Sequence, residues 1–267
     1  MYLNLDFTSP FLTINEEKNL LLPLNYMLDL RESKFDLVPS VEHATESIPG
    51  VDGEILYASK YSARVFDMVC YSNDNLSLQD KQTEQKLLRL YMDKLKTEPC
   101  PLLYQGNVYM VQYNNNVDQT NNGHYLKWTL PLKANDCYGY SQQVYSIQGN
   151  SSDTVTNSGN QRVGTEITFT GSVTNPYVVI NGHKISYDGV IPQNTTVVIH
   201  TSKRTAVMTA YDGTKTNAFG GVSGLRNPVY LEPTISLSIT GKVTERTNVI
   251  SMSHPDNTVM RWREKNI

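Results

Sequence analysis

Residues 163–267 alternate apolar or β-branched residues with threonine and serine in short runs, and this pattern restricts the fold more than any other feature of the chain. Turn signals such as Asn181-Gly182 and Asp212-Gly213 lie between the runs. No apolar period of 3.6 residues interrupts them. Many short strands joined by turns predict an antiparallel β-sandwich. The runs cover residues 166–170, 177–180, 195–201, 205–211, 234–240 and 259–263.

The first part of the chain also favours strands. Residues 65–71, 107–113 and 125–132 are rich in β-forming residues. Between the last two runs, residues 114–123 are rich in asparagine and end at Gly123, which is typical of turns. These residues predict a hairpin over about 107–132 with a long polar tip.

One segment has the pattern of a helix. Ser77 followed by Asp80 matches a capping box. Apolar residues then recur at helical spacing, and Pro99 and Pro101 end the segment. A helix over about 78–96 is therefore predicted, with one apolar face that covers a sheet; the residues of that face are Leu88, Tyr91, Met92 and Leu95.

Composition divides the chain near residue 150. Residues 1–150 carry 12 basic and 18 acidic side chains with 13 tyrosines, whereas residues 151–267 carry 11 basic and 8 acidic side chains with 4 tyrosines. The polar segment 148–162 lies at this change and has the composition of a connector. We therefore expect two domains, residues 1–148 and 149–267. The fold class expected is mostly β: a β-sandwich or barrel-like domain with one α-helix, followed by a sandwich.

The sequence lacks the signatures of catalysis, of a cofactor and of a metal. It contains no metalloprotease, phosphate-loop, dinucleotide or calcium-loop motif. The three cysteines and five histidines have no metal-ligand spacing, so we expect reduced thiols and no catalytic, cofactor-binding or metal-binding residue. A formal charge of −3 excludes a strongly basic nucleic-acid binder. The N-terminus has no signal-peptide pattern, and no apolar run reaches the ~20 residues of a membrane span.

Ordered features of the first part resemble a known family, the distal tail (Dit) proteins of long-tailed bacteriophages, or siphophages. Residues 48–53 resemble the family's Pro-Gly-x-Asp-Gly turn, and residues 61–69 resemble the strand that follows. The helix, the segment 101–104 and the segment 126–140 then occur in the same order as in the family.

The second part is similar to the family's galectin-like antiparallel β-sandwich. Residues 164–176 resemble its first strand and turn, residues 195–208 its central strand pair, and residues 231–239 its closing turn and strand. The sequence departs from the family at His200, where many relatives have aspartate.

The resemblance implies a structural virion protein of the baseplate hub. Six copies would form a hexameric ring that joins the tail tube to the tail tip, and DNA would pass through the ring without sequence-specific binding. Expected partners are the tail tube protein, the tape-measure protein, the tail-tip or tail-associated lysin protein and, in some relatives, a receptor-binding protein. The protein would be assembled in the host bacterial cytoplasm and would reside at the tail tip, with no membrane association.

The hairpin over residues 107–132 is expected to reach a neighbouring subunit, because tyrosine has an apolar body and a polar tip that suit such an interface. The interface residues predicted there are Tyr109, Tyr113, Asn115, Asn116 and Tyr125.

Two other functions stay open at this point. A galectin-like sandwich could be a carbohydrate-binding module of a phage tail or host-recognition device, but the second part offers only Trp262 as an aromatic platform and shows no polar cluster around His183 or His200. Packing in an edge strand is the preferred role for Trp262. An enzyme of the tail, such as a glycosidase or peptidase, would need a motif that the sequence lacks.

Overall fold

The computed structural model describes residues 12–15, 20–22, 26–36, 38–47, 52, 54–72, 77–114, 118–121, 126–237, 241 and 243–267. The chain divides into two compact units, residues 1–139 with Ile267 and residues 140–266. Each unit has its own cluster of buried apolar side chains. In the described ranges, no helix is both long and apolar enough to span a bilayer.

The first unit contains eleven described strands and one helix. They are β1 (Leu12–Asn15), β2 (Leu20–Leu22), β3 (Tyr26–Leu28), β4 (Lys34–Phe35), β5 (Val41–Ser47), β6 (Glu54–Tyr61), β7 (Arg64–Tyr71), α1 (Leu78–Thr97), β8 (Cys100–Tyr104), β9 (Asn107–Tyr113), β10 (Asp118–Asn121) and β11 (Leu126–Ala134).

Seven of these strands close into a barrel. The pairings run β11–β7–β3–β2–β1–β8–β9 and return to β11, because Ala134 of β11 also pairs with Val111 of β9. All pairs are antiparallel except β1 with β8, which is parallel. Closure removes the unpaired edges of the sheet. The barrel-like first domain that the sequence predicts is therefore confirmed.

Alternation along β7 and β11 places the core inside the barrel. Phe66 and Met68 on β7 and Leu130 and Leu132 on β11 are at most 1% exposed, while the residues between them are mostly half-buried. The long pairing of β7 with β11 brings the two inward rows together. Burial of such side chains contributes roughly 1.5–3 kcal/mol each, so this strand pair is a main source of the unit's stability.

The predicted helix is confirmed. Ser77 Oγ accepts a hydrogen bond from the Asp80 backbone N–H at 3.2 Å, as an N-cap does, and donates one to the Asp80 carboxylate at 2.6 Å. Leu88, Met92 and Leu95 are buried in the core of the unit, and the helix lies against β9.

The remaining strands are short, and all of their residues except Gly139 belong to the second unit. They are β12 (Gly139–Ser141), β13 (Tyr145–Gln148), β14 (Ser152–Val155), β15 (Val163–Gly164), β16 (Glu166–Thr170), β17 (Val173–Thr174), β18 (Tyr177–Ile180), β19 (His183–Tyr187), β20 (Val190–Ile191), β21 (Thr196–His200), β22 (Thr205–Thr209), β23 (Lys215–Asn217), β24 (Val222–Ser223), β25 (Tyr230–Leu231), β26 (Ile235–Leu237), β27 (Val243–Glu245), β28 (Asn248–Met252), β29 (Thr258–Trp262) and β30 (Lys265–Asn266). Two single-turn 3₁₀ helices occupy Phe219–Gly221 and Pro255–Asn257.

Two antiparallel sheets of this unit form the predicted sandwich. One has the order β13–β29–β16–β21–β22–β23 and the other β14–β28–β18–β19–β24. Ile167 and Phe169 of the first sheet and Val178 and Ile180 of the second are fully buried in one core. The threonine and serine positions between them face outward or stay half-buried, as the alternation indicates.

Three details differ from the sequence-based interpretation. The connector predicted over 148–162 contains β14, which lies at the edge of its sheet and pairs with β28. Its first residue, Gln148, ends β13, which pairs with β29 in the sandwich. Of the run 234–240, residues 235–237 pair only with β27, outside both main sheets. Trp262 packs within the unit as predicted, stacked on Tyr145 at 5.8 Å, but its strand is second in the sheet rather than at the edge.

Candidate assembly surface

The strands β5 and β6 form a hairpin that pairs with none of the other described strands, and we name it the arm. All fifteen of its strand residues are exposed. Its longer strand has eight residues, which corresponds to a reach of about 26 Å at the usual rise per residue. A two-stranded hairpin is at best marginally stable in water by itself. The arm is therefore a feature that further packing would stabilise.

One face of the arm carries three exposed apolar side chains beside polar ones, and we name it the apolar face for these three. Val41 pairs with Tyr61 and Thr45 with Leu56, so the alternation of side chains places Val41, Tyr61 and Leu56 on the same face. These three side chains are 45%, 42% and 56% exposed. Tyr57, 60% exposed, lies at a bulge where the register shifts between Ala44 and Thr45. The hydrogen-bonded pair His43 and Ser59 lies between Leu56 and the other two, so the face combines apolar and polar groups as a subunit interface does.

The opposite face carries charged residues together with the exposed Ile55. Lys60 Nζ lies 2.9 Å from the Glu42 carboxylate across the strand pair. A hydrogen bond to Glu46 raises the pKa of the Tyr57 phenol, with a smaller contribution from burial. Both pairs are exposed, so they keep the arm soluble rather than contributing much to stability.

The two strands of the arm are joined at its base. Ser62 donates its backbone N–H to the Ser40 carbonyl at 2.8 Å, and the two hydroxyl oxygens are 2.6 Å apart. The Tyr61 ring also meets Tyr138 edge-on at 6.3 Å. The serine contacts hold the two strands together, and the tyrosine contact links the arm to the rest of the first unit.

A second exposed apolar surface lies on α1. Leu87 and Leu90 are 58% and 69% exposed and lie three residues apart, so they are neighbours on the solvent side of the helix. Sequence periodicity identified the buried face of this helix, and these two leucines lie off it. Together, the arm and this helix face form the candidate assembly surface.

The predicted interface residues of the 107–132 hairpin fall into three groups. Tyr109 is only 4% exposed; its hydroxyl accepts a 2.6 Å hydrogen bond from Arg64, and its ring packs on Phe66. Burial raises the pKa of Tyr109, although the neighbouring Arg64 guanidinium acts in the opposite direction. Tyr109 therefore packs in the core of its own unit.

The other predicted positions stay predictions. Tyr113 is half-buried at the end of β9. Asn115, Asn116 and Tyr125 lie outside the described residues. The polar tip itself contains β10, which pairs back on β11 instead of forming a turn throughout.

The described residues offer no obvious reactive centre. Burial raises the pKa of the Cys70 thiol to about 12, which makes it a poor nucleophile. Burial, followed by the charge of Lys203, lowers the pKa of His200 to about 4, although the Glu166 carboxylate lies 3.7 Å from its Nδ1. Within the described ranges, no three His, Cys, Asp or Glu side chains come together as a metal site would require.

Sequence reasoning missed the arm. Its strands flank the Pro-Gly-Val-Asp-Gly segment, whose residues lie mostly outside the described ones. The sequence does contain a signal for this hairpin, a turn motif between two segments of strand length. The second segment includes the β-forming residues 55–57 (Ile-Leu-Tyr). Charged residues along both segments conceal this signal, because an arm without a buried face has no need of strict alternation.

Comparison with known proteins identifies the fold. No family model and no curated protein matches the sequence. Among solved structures, the Dit protein of phage SPP1, described as a paradigm of the hub adsorption apparatus in phages that infect Gram-positive bacteria, is similar with a TM-score of 0.66 and 15% identity. The match covers 90% of this chain and 94% of that one. The chain therefore has a Dit-like fold.

Two structures of the phage P2 baseplate, in its activated conformation with Ca and with Sr, match with TM-scores of 0.44 and 0.45. Both are 7% identical and cover 87% of this chain and 90% of the matched one.

Proposed function

We propose that this chain is a structural virion protein of a phage tail, a distal tail component whose six copies form a hexameric ring that joins the tail tube to the tail tip. The observation that carries the proposal is the similarity to SPP1 Dit along nearly the whole length of both chains. The uncovered tenth of the chain is shorter than either compact unit, so the similarity extends into both units. The proposed role is assembly and not catalysis.

The arm supports a ring. A subunit of a closed ring needs a surface that contacts a different surface of its neighbour. The arm has the reach, the apolar face and the exposure that such a contact needs, and it is anchored at one end only. Assembly would bury the face that carries Leu56 and Tyr61, and the helix face that carries Leu87 and Leu90 is a second candidate for burial.

The proposed partners are those of a distal tail position. They are the tail tube protein, the tape-measure protein, the tail-tip or tail-associated lysin protein and, as in some relatives, a receptor-binding protein. The protein would be assembled in the bacterial cytoplasm and retained in the virion tail.

The charge of the first part fits a ring through which DNA passes. Residues 1–150 have a net charge of −6, which would let a polyanion slide without binding. A ring structure whose channel-facing side chains were mostly lysine and arginine would contradict this expectation.

Negative-stain imaging of the purified chain, with light scattering of the same sample, tests the ring directly. We expect particles with six-fold symmetry and a mass six times that of the 30.1 kDa chain. A monomer at every soluble concentration, or a ring with another number of subunits, would contradict the hexamer.

A further inference from the structure

A polar groove crosses one end of the sandwich, at the turns that join β18 to β19 and β27 to β28. It consists of two adjoining clefts of about 550 and 500 Å³, and both are lined by Asn181 and Glu232. Ligand pockets commonly have volumes of roughly 300–1,000 Å³. We name this feature the Glu232 groove. It lies wholly within the second unit.

The lining of the groove is suited to hydrogen bonding. Nine of its fourteen residues carry side chains that donate or accept hydrogen bonds. Of the apolar ones, Ile180 and Val229 are buried and only Pro228 and Val249 face outward. An apolar ligand would find little surface there.

The floor of the groove is fixed by Asn248, which is fully buried. Its Oδ1 accepts the Glu232 backbone N–H at 2.9 Å, and its Nδ2 donates to the Glu232 carbonyl at 2.8 Å. The same Oδ1 accepts a hydrogen bond from Asn181 Nδ2 at 2.9 Å. This network orders the groove before any ligand arrives, which reduces the entropic cost of binding.

Donors and acceptors face the groove from different segments. The Arg162 guanidinium lies over the Tyr230 ring, 4.8 Å from its centre, and forms one wall. A stacked guanidinium keeps its planar fork of N–H donors oriented. The Glu232 carboxylate supplies acceptors and lies 3.3 Å from Arg246 Nη1. His183 and Asn227 line the same half as Arg162.

We propose that the Glu232 groove binds a saccharide. Sugar hydroxyls donate and accept hydrogen bonds at once, and this groove offers planar donors and acceptors on both sides of Glu232. The two adjoining clefts fit two sugar units better than one small ion. Peptide recognition depends on a free sheet edge or an apolar groove, and the sparse exposed apolar lining does not favour it.

The test uses the full chain on a printed array of neutral and acidic mono- to tetrasaccharides, followed by calorimetric titration of the best soluble sugar. We expect selective binding of at least one sugar. Arg162→Ala and Glu232→Gln should each weaken it by about 10- to 100-fold, the usual effect of losing a hydrogen bond to a charged group. Both side chains are at the surface, so neither change should lower the melting temperature by more than about 2 °C.

Arg261→Ala is the matched control, because Arg261 is exposed on the six-stranded sheet and does not line the groove. It should leave sugar affinity unchanged. Arg162→Lys keeps the charge but loses the fork, and should also bind weakly. The proposal is overturned if no sugar binds, if Arg261→Ala weakens binding as much as Arg162→Ala does, if Arg162→Lys binds like the wild type, or if a peptide array is bound at the groove instead.

Discussion

The substitution Leu56→Ser tests whether the arm holds the ring together. Complete burial of a leucine side chain stabilises by about 1.5–3 kcal/mol, and Leu56 is 56% exposed in the free subunit. Burying that remainder at a neighbour would contribute about 1–2 kcal/mol to each contact. A closed ring of six subunits has six such contacts, so the substitution would cost the assembly about 6–12 kcal/mol.

The constant for dissociation of one hexamer into six monomers has units of concentration to the fifth power. The midpoint concentration for dissociation therefore varies as the fifth root of that constant, and this cost raises it by about 8- to 60-fold. Mass photometry over a dilution series measures that midpoint. The melting temperature of dilute, monomeric protein should not change, because Leu56 packs on no core residue.

Val190→Ser is the control for general loss of exposed apolar surface, since Val190 is 63% exposed on the sandwich. It should leave the dissociation midpoint unchanged. A ring of Leu56→Ser that dissociates at the wild-type concentration would refute the assignment of the arm to the interface.

Three further predictions concern the hairpin tip, the helix and the sandwich. Deleting residues 114–123, which removes β10, should shift the light-scattering peak from the hexamer toward smaller species, and an unchanged peak would exclude a role for the tip. Ser77→Ala removes the cap of α1 and should cost about 1 kcal/mol, lowering the calorimetric melting temperature by about 3–5 °C. Because His200 stays neutral in the fold to about pH 4, unfolded chains bind more protons between pH 6.5 and 4. The melting temperature of the wild type should therefore decrease as the pH is lowered from 6.5 to 4. The melting temperature of His200→Gln should decrease less over the same range.

The sequence predicted best where a chain segment has one buried face. The runs 166–170 and 177–180 became strands of the two facing sheets, and the Asn181-Gly182 turn joins β18 to β19 with positive φ at both residues. The helix was predicted from its cap and its apolar period for the same reason. In each case the period of the apolar residues indicates which side of the segment faces the core.

Prediction failed where the decisive contact lies far along the chain. Tyr109 looks like an interface residue in a tyrosine-rich hairpin, yet Arg64, 45 residues earlier, holds it in the core. The Glu232 groove brings Arg162, His183 and Glu232 together from three separate segments, so no cluster is visible around His183 in the sequence. Loop geometry brings such residues together, and no spacing rule anticipates it.

The arm also indicates how subunits would contact each other. An exposed hairpin has two unpaired edges, which are a hazard for edge-to-edge association. The two strands of this arm carry Glu42, Glu46, Glu54 and Lys60, a net charge of −2, and a bulge at Tyr57 interrupts the edge. Like charge disfavours contact between two arms. The apolar face is therefore expected to meet a different surface of the next subunit, and a contact between unlike surfaces is the one that closes a ring.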